Sequence, residues 1–120
     1  MHESLEQDIQ NIVDDEEFKL VNDEFQAVAF LAKSLSDENR LKILCSISRG
    51  KKAVGSIGEE LNLSQPLVSH HLKELKRSLL VKIERSGTFI YYEVSNPRIL
   101  EAIRSLNSIA KDLLAARTTF

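Results

Sequence analysis

The amino-acid sequence predicts an α+β fold that is mostly helical, with five or six helices and a two-stranded β-hairpin. Apolar residues recur at spacings of three and four along most of the chain, which is the period of an amphipathic helix. Between residues 81 and 94 the pattern changes to the alternation that is typical of strands. The 120 residues and the 42% hydrophobic content are sufficient for one domain with its own core.

The N-terminal segment, residues 1–20, is predicted to be an acidic arm that is either helical or frayed, and residues 21–116 are predicted to form the folded domain. Residues 1–38 hold eleven acidic and two basic side chains, a charge of 2 − 11 = −9. Residues 39–120 hold fourteen basic and seven acidic side chains, a charge of 14 − 7 = +7. A basic body of this kind is typical of proteins that bind a polyanion, but ordinary solvated surfaces explain the charge equally well.

Two helices are predicted before the central motif. The first begins near Asn22, where an apolar stripe of helical period becomes regular. The second begins after Ser36 or Asp37, because either side chain can accept a hydrogen bond from a free N–H group of the first turn. It is predicted to end before Gly50, a residue type that commonly follows helices.

Two helices joined by a tight turn are predicted next. Ser56 and Glu59 fit the S-x-x-E capping box at the start of the first, which is predicted to end near Asn62. Ser64 is predicted to cap the second, in which Pro66 is tolerated in the first turn. The inward-facing stripe of this second helix is predicted to consist of Leu67, Val68, His71, Leu72 and Leu75. Two such helices form a helix-turn-helix candidate.

The segment Val81–Val94 is predicted to be a β-hairpin with its turn at Ser86-Gly87. A helix-turn-helix followed by a charged hairpin is the winged helix-turn-helix arrangement. In that arrangement one helix enters the DNA major groove and the hairpin, or wing, lies beside the backbone. The last helix is predicted to begin after Asn96-Pro97 and to carry a heptad-like apolar stripe.

Residue types on the outer face of the second helix of the motif suit DNA recognition. A glutamine can pair with adenine through two hydrogen bonds, hydroxyl and imidazole groups reach base edges or phosphates, and lysine and arginine bind phosphates. The wing adds an arginine and two hydroxyl groups around a glycine, which lets the backbone approach a groove closely. The predicted DNA-binding residues are Ser64, Gln65, Ser69, His70, Lys73, Lys76, Arg77, Arg85, Ser86, Gly87 and Thr88.

Three segments of the chain resemble the ArsR/SmtB family of bacterial and archaeal repressors. They are LSDENRLKIL, LNLSQPLVSHHLKELKRSLL and ERSGTFIYYEVS, and the similarity covers about residues 25–110 in order. The resemblance implies a homodimeric winged-helix repressor that usually leaves its operator when an inducer binds. Leu67 and Leu79 depart from the family pattern, which more often has a small polar residue and a glycine there. The implied dimer interface, on the first and last helices, includes Phe25, Val28, Ile99, Ile103, Leu106, Ala110 and Leu113.

No metal ion or other cofactor is expected. The adjacent His70 and His71 point about 100° apart on a helix, whereas a helical ligand pair needs a spacing of four residues. The resemblance implies metal ligands either as a cysteine pair on the first helix of the reading motif or as an Asp/His set on the last helix. The first place has no cysteine, and the last helix has neither histidine nor cysteine. We therefore expect no tight response to zinc, cadmium or arsenite.

Cys45, the single cysteine, is a candidate redox residue. Thiol-responsive members of the family have a cysteine at this point that pairs with a second one on the last helix, and this sequence lacks the second. A lone cysteine in an apolar helix is most often a small buried hydrophobe, so we favour that role over a sensor thiol.

The sequence therefore predicts a cytoplasmic, homodimeric regulator of transcription that binds specific double-stranded DNA. The alternatives are a protein-binding module that uses the acidic arm and the last helix, and a thiol-responsive regulator that acts through Cys45. An enzyme is not expected, because the sequence contains no nucleophile–base pair, metal constellation or glycine-rich phosphate loop. A membrane protein is not expected either, because no segment approaches the roughly 20 apolar residues that a membrane helix requires.

Overall fold

The computed structural model describes residues 22–117 of the chain, which contain five helices and one two-stranded sheet. In chain order the elements are α1 (Asn22–Ser34), α2 (Glu38–Ile47), α3 (Val54–Leu61), α4 (Gln65–Arg77), β1 (Val81–Ser86), β2 (Phe89–Val94) and α5 (Arg98–Arg117). The predicted fold, a winged helix-turn-helix with a two-stranded wing, is confirmed.

Two compact units divide the chain, Met1–Ala32 and Lys33–Phe120. The described part of the first unit belongs to helix α1, and the second unit contains α2 to α5 and the wing. The predicted acidic arm, residues 1–20, lies outside the described residues. The proposed boundary between that arm and the folded domain therefore stays a prediction.

Helix α2 is capped by Asp37. The Asp37 carboxylate accepts a hydrogen bond from the backbone N–H of Arg40 at 3.0 Å, which satisfies one free donor of the first turn. This bond lowers the pKa of the Asp37 carboxyl, because it stabilises the ionised form. Of the two caps that the sequence allows, Asp37 is confirmed, and the Ser36 hydroxyl instead donates to the carbonyl of Lys33.

Helix α3 begins three residues earlier than the sequence predicts. Its N-cap is Ala53, which makes no side-chain hydrogen bond, so the predicted capping box of Ser56 and Glu59 is wrong. The reason is a contact distant in sequence. Lys52 and Tyr92 exchange two backbone hydrogen bonds of 3.0 and 2.8 Å, which hold the chain extended immediately before α3 and let the helix begin at once.

The turn between α3 and α4 is short because α3 ends in a left-handed residue. Asn62 has a φ of 55°, and the N–H of Leu63 donates to the carbonyl of Gly58 at 2.9 Å. A Cβ on Gly58 would lie 2.8 Å from the Leu63 carbonyl oxygen, so this close approach of the chain requires glycine. Ser64 then caps α4, as predicted, by accepting from the N–H of Leu67 at 3.3 Å.

The core lies between α2, α3, α4 and the base of the wing. Four of the five residues predicted to face inward from α4 are buried, but Leu67 is 36% exposed. Leu67 lies about 100° around the helix from Val68, which begins the buried stripe, so it leaves the core. In the described part of the chain, the buried apolar residues are Ile43, Leu44, Ile47, Ile57, Val68, Leu72, Leu75, Leu80 and Val81.

The wing is an antiparallel pair of strands, as predicted, with Val81 opposite Val94 and Ser86 opposite Phe89. Because Ser86 is still paired, the turn is Gly87-Thr88, one residue later than predicted. Gly87 has a φ of +61°. A positive φ at the first loop position alone is typical of a type II′ turn, whose twist matches that of the strands.

Helix α5 begins where the sequence predicts it. The backbone N–H of Arg98 donates to the side-chain oxygen of Asn96 at 2.9 Å and so caps the first turn. Between residues 22 and 117, no helix combines the length and the apolar character that crossing a membrane demands.

The end of helix α4 contains a strained leucine. Leu79 has a φ of 67°, and its N–H donates to the carbonyl of Lys76 while that of Leu80 donates to Leu75, both at 3.0 Å. This is the Schellman arrangement, in which the left-handed position is usually glycine. The left-handed conformation costs a residue with a side chain about 1–2 kcal/mol. Leu79 is 79% exposed, so packing offsets little of that cost.

Replacing Leu79 with glycine should stabilise the protein by about 0.5–1 kcal/mol, because the relief of strain exceeds the added entropy of the unfolded chain. Urea unfolding at one fixed protein concentration measures the change. Leu79→Ala is the control, since it retains the Cβ and the strain, and it should stay within about 0.5 kcal/mol of wild type. A glycine variant that unfolds at lower urea concentration than wild type would contradict this account of Leu79.

Candidate nucleic-acid interface

The outward face of helix α4 carries polar side chains along its whole length. The opposite face is held in the core by Val68, His71, Leu72 and Leu75, so the orientation of the outward face is determined by packing. All the residues predicted to contact DNA from this helix and its cap are exposed to solvent. They are Ser64, Gln65, Ser69, His70, Lys73, Lys76 and Arg77.

Several basic side chains of the predicted interface are not neutralised by an acidic neighbour and can pair with a ligand. Within residues 22–117, no acidic side chain lies within ion-pair distance of Lys73, Lys76 or Arg85. Arg77 lies 3.8 Å from Glu74 of the same helix, which is a loose and exposed pair. The surface therefore presents unneutralised positive charge from both α4 and the wing, which is the electrostatic requirement for binding phosphates.

Gln65 lies at the start of α4, beside the first turn of α3. Its Nε2 atom is 3.5 Å from the position that a Cβ would occupy on Gly55, which is ordinary van der Waals distance, so the amide packs beside α3. The neighbouring Ser64 hydroxyl accepts the capping hydrogen bond and can still donate its own proton. Both groups are thus placed at the helix N-terminus, where backbone N–H groups favour a nearby phosphate.

The two adjacent histidines differ in their surroundings, as predicted. His70 is exposed, whereas His71 is only 6% exposed. Nε2 of His71 lies 3.9 Å from Oδ1 of Asp37, which is too long for a hydrogen bond. Its Nδ1 is buried and has no hydrogen-bond partner in the described part of the chain. The burial predicted for His71 is confirmed, but the hydrogen bond predicted for it is not formed there.

The rings of His70 and His71 lie close together, with centroids 5.6 Å apart and planes at 60°. The described residues contain no cluster of three or more histidine, cysteine, aspartate or glutamate side chains that could hold a metal ion. For the whole chain, the lack of a metal site stays a prediction.

The wing tip brings together the other predicted DNA-binding residues. Arg85, Ser86, Gly87 and Thr88 are all exposed. Phe89, which follows the turn, is also 63% exposed, although it is absent from the predicted set. Alternating apolar residues in a hairpin predict one covered face, and that reasoning fails for Phe89 because the tip extends beyond the core. The feature of the sequence that could have indicated an exposed Phe89 is its position directly after the turn.

A polar network fixes the base of the wing against α2 and α3. The Glu60 carboxylate accepts hydrogen bonds from Nζ of Lys52 at 2.7 Å and from the Ser46 hydroxyl. Lys52 and Ser46 together lower the pKa of Glu60, because both donate to its ionised form. Since the Lys52 backbone pairs with Tyr92 of β2, the network holds the wing at a defined angle to the helices.

Helix α5 exposes a continuous apolar stripe. None of its residues is buried, and only its first turns, at Ile99 and Ile103, pack partly against the core. On α1, Phe25 and Val28 are also more than half exposed. Exposed apolar surface of this kind is typical of an oligomer interface. The further exposed residues of the α5 stripe are Leu106, Ile109, Ala110, Leu113 and Leu114.

The Cys45 thiol is exposed, which corrects the expectation of a buried hydrophobe. Helix α2 directs Ile43, Leu44 and Ile47 into the core, and Cys45 lies about 100° around the helix from Leu44. The thiol instead lines a groove of about 500 Å³ between α2 and α5. The other residues that line the groove are Leu35, Leu41, Ile103, Arg104, Leu106, Asn107 and Ala110.

This fold and this surface define a class of protein, the winged helix-turn-helix regulators that bind DNA. Residues 37–82 match the family described as bacterial regulatory protein, arsR family. The chain is 39% identical over 80 residues to the transcriptional repressor SdpR of Bacillus subtilis, and the aligned region covers 66% of this chain and 89% of that protein. It is 32% identical over 85 residues to the arsenical resistance operon repressor of Staphylococcus aureus, and this alignment covers 71% of this chain and 82% of that protein.

Solved structures agree with this assignment. A homodimeric winged helix-turn-helix DNA-binding domain from Mycobacterium bovis superposes with a TM-score of 0.66 at 27% identity, covering 73% of this chain and 82% of that one. NolR from Sinorhizobium fredii superposes with a TM-score of 0.67 at 29% identity, covering 75% and 93%. The chain belongs to the ArsR family and is a DNA-binding transcriptional regulator, and the family predicted from the sequence is confirmed.

The Glu60→Gln variant should have a lower melting temperature than wild type at pH 7, and the difference should disappear as the pH falls to about 3. A carboxyl whose pKa is lowered by folding stabilises the protein above its unfolded pKa of about 4.3, and it loses that contribution as the pH falls through the folded value. Thermal unfolding across this pH range measures it. Glu59→Gln is the matched control and should show no such dependence. A deficit of equal size at pH 7 and pH 3 would show that the Glu60 charge is not responsible.

Proposed function

We propose that this protein is a homodimeric repressor that binds an inverted-repeat operator, with α4 of each protomer in the major groove. The observation that carries the proposal is the division of α4 into a buried apolar face and an exposed face of hydrogen-bonding and cationic side chains. A helix so divided can present base-reading groups without disturbing its own packing. The names of the relatives SdpR and the arsenical resistance repressor support repression.

Each part of the surface has a role in this proposal. Gln65 reads adenine, and Ser69 and His70 contact base edges or phosphates from the next turn of α4. Lys73, Lys76 and Arg77 bind phosphates, where they determine affinity rather than sequence preference. The wing tip from residues 85 to 88 contacts the DNA backbone.

The dimer is supported by the apolar stripe of α5 and by the homodimeric state named for the Mycobacterium bovis domain. Two reading helices related by a twofold axis match an inverted repeat, with half-sites about 10 base pairs apart or a multiple of that distance. In this function the protein binds DNA without catalysing a reaction. It acts in the cytoplasm, where the DNA lies.

We expect Gln65→Ala and His70→Ala to weaken operator binding by about 1–3 kcal/mol and to relax base preference, because each removes a base contact. Lys76→Ala should weaken binding to all sequences alike and flatten the salt dependence, because it removes a phosphate contact. Gel shifts at several salt concentrations measure both effects, with a sequence that the protein itself selects from random DNA and with a scrambled version. Equal losses on both DNAs for Gln65→Ala would remove its reading role, and failure to select any sequence would refute the proposed function.

Leu106→Glu should give a monomer or an unfolded chain, because it places a charge in the apolar stripe of α5 that the dimer buries. Sedimentation at micromolar concentration measures the mass. Ser108→Glu adds the same charge on the opposite side of α5 and should leave the dimer intact. A wild-type protein that sediments as a monomer at this concentration would refute the proposed dimer.

A further inference from the structure

The tip of the wing carries a cation and an aromatic ring on opposite faces. Arg85 lies opposite Ile90 in the register, and Ser86 lies opposite Phe89. Directly opposed residues share a face and successive residues alternate, so Arg85 and Phe89 project from the two sides of the hairpin. Phe89 is among the exposed large apolar residues of the described chain, and in that part of the chain Arg85 has no acidic partner.

Contacts that run along the wing hold the Phe89 ring. Its centroid lies 6.3 Å from that of Tyr91, and Nζ of Lys51 lies 5.3 Å from the centroid of the Tyr91 ring. Lys51 also pairs with Glu84 at 2.9 Å, which balances the negative charge below the tip. Phe89 is therefore the end of a supported row of side chains, and the acidic group nearest the tip does not oppose the approach of a phosphate backbone.

The length of the wing matches the spacing of the grooves of DNA. Strand β1 runs from the buried Val81 to Ser86 at the turn, five steps of about 3.4 Å, so the tip lies roughly 17 Å from the core. The helical repeat of B-DNA is about 34 Å, and half of it, roughly 17 Å, separates a point in the major groove from the minor groove on the same side. A wing of this length is therefore long enough to span from the major groove that α4 occupies to the neighbouring minor groove.

We propose that Phe89 is a specificity-determining residue that contacts the minor groove beside each half-site and favours A·T pairs there. The proposal rests on the docking of α4 described above. A·T pairs present only hydrogen-bond acceptors in the minor groove, whereas G·C pairs add the amino group of guanine. An apolar ring cannot accept a hydrogen bond from this amino group, and the group also obstructs the approach of the ring. Arg85, on the other face of the hairpin, binds the adjoining phosphates, whose field is strongest where A·T pairs narrow the groove.

The test uses inosine at the base pairs that flank each half-site of the selected operator. Inosine lacks the amino group of guanine, so replacing G·C by inosine·C changes the minor groove and leaves the major-groove pattern intact. The wild-type protein should bind the inosine DNA about five- to tenfold more tightly than the G·C DNA. For Phe89→Ala the difference should fall below about twofold, and circular dichroism should show an unchanged fold, since the side chain is exposed.

Two further variants separate the role of the ring from a general effect on the wing. Phe89→Leu retains an apolar group at the tip and should retain most of the inosine effect. Tyr91→Phe alters the same face two pairs below the tip and should behave as wild type.

A wild-type protein that binds the G·C and inosine DNAs equally overturns the proposal, as does an equal inosine effect in wild type and Phe89→Ala. The second result would leave Phe89 free to contact another protein. Operator binding without an inosine effect counts against Phe89 alone, whereas failure to bind any selected DNA counts against the proposed function as well.

Discussion

The close approach of the chain to itself between α3 and α4 is the constraint on which the DNA-facing surface depends. The Leu63 carbonyl oxygen lies so close to Gly58 that a Cβ at this position would collide with it. Asn62 takes the left-handed conformation that turns the chain back. Ser64 can then cap α4 immediately. Since α4 begins so soon after α3, its apolar stripe can meet the core only in one orientation, which leaves the polar stripe facing outward.

The wing depends on a second constraint, the attachment of its base. Lys52 joins β2 through its backbone and joins α2 and α3 through the hydrogen bonds of its side chain with Ser46 and Glu60. One residue thus links the sheet and two helices. A two-stranded hairpin has little stability of its own in water, so the direction of the wing depends on this attachment and on the burial of Val81.

The exposed apolar surface of α5 shows that one protomer does not complete the burial of its own hydrophobic residues. Leu106 and Leu113 remain exposed in the single chain, as does the groove in which Cys45 lies. A partner that covers this surface would also change the environment of the thiol.

Local features of the sequence determined the order and type of the elements. The caps at Asp37, Ser64 and Asn96 were predictable, because a cap is a hydrogen bond between residues two or three positions apart. The hairpin was predictable because alternation with period two and a glycine turn are local as well. Helical periodicity and the hairpin pattern also placed the predicted DNA-binding residues on one capped helix and at the tip of the wing, and the structure finds them all exposed.

Only the tertiary structure decided which of these residues are covered and where a helix begins under the influence of a distant strand. The start of α3 depends on Tyr92, which lies far along the chain from Lys52. The exposure of Cys45 and of Phe89 depends on where the core ends, and the buried position of His71 beside Asp37 depends on how α4 crosses α2. Periodicity assigns a residue to a face, but the neighbours that cover that face come from elsewhere in the chain, so burial is a property of the packed molecule.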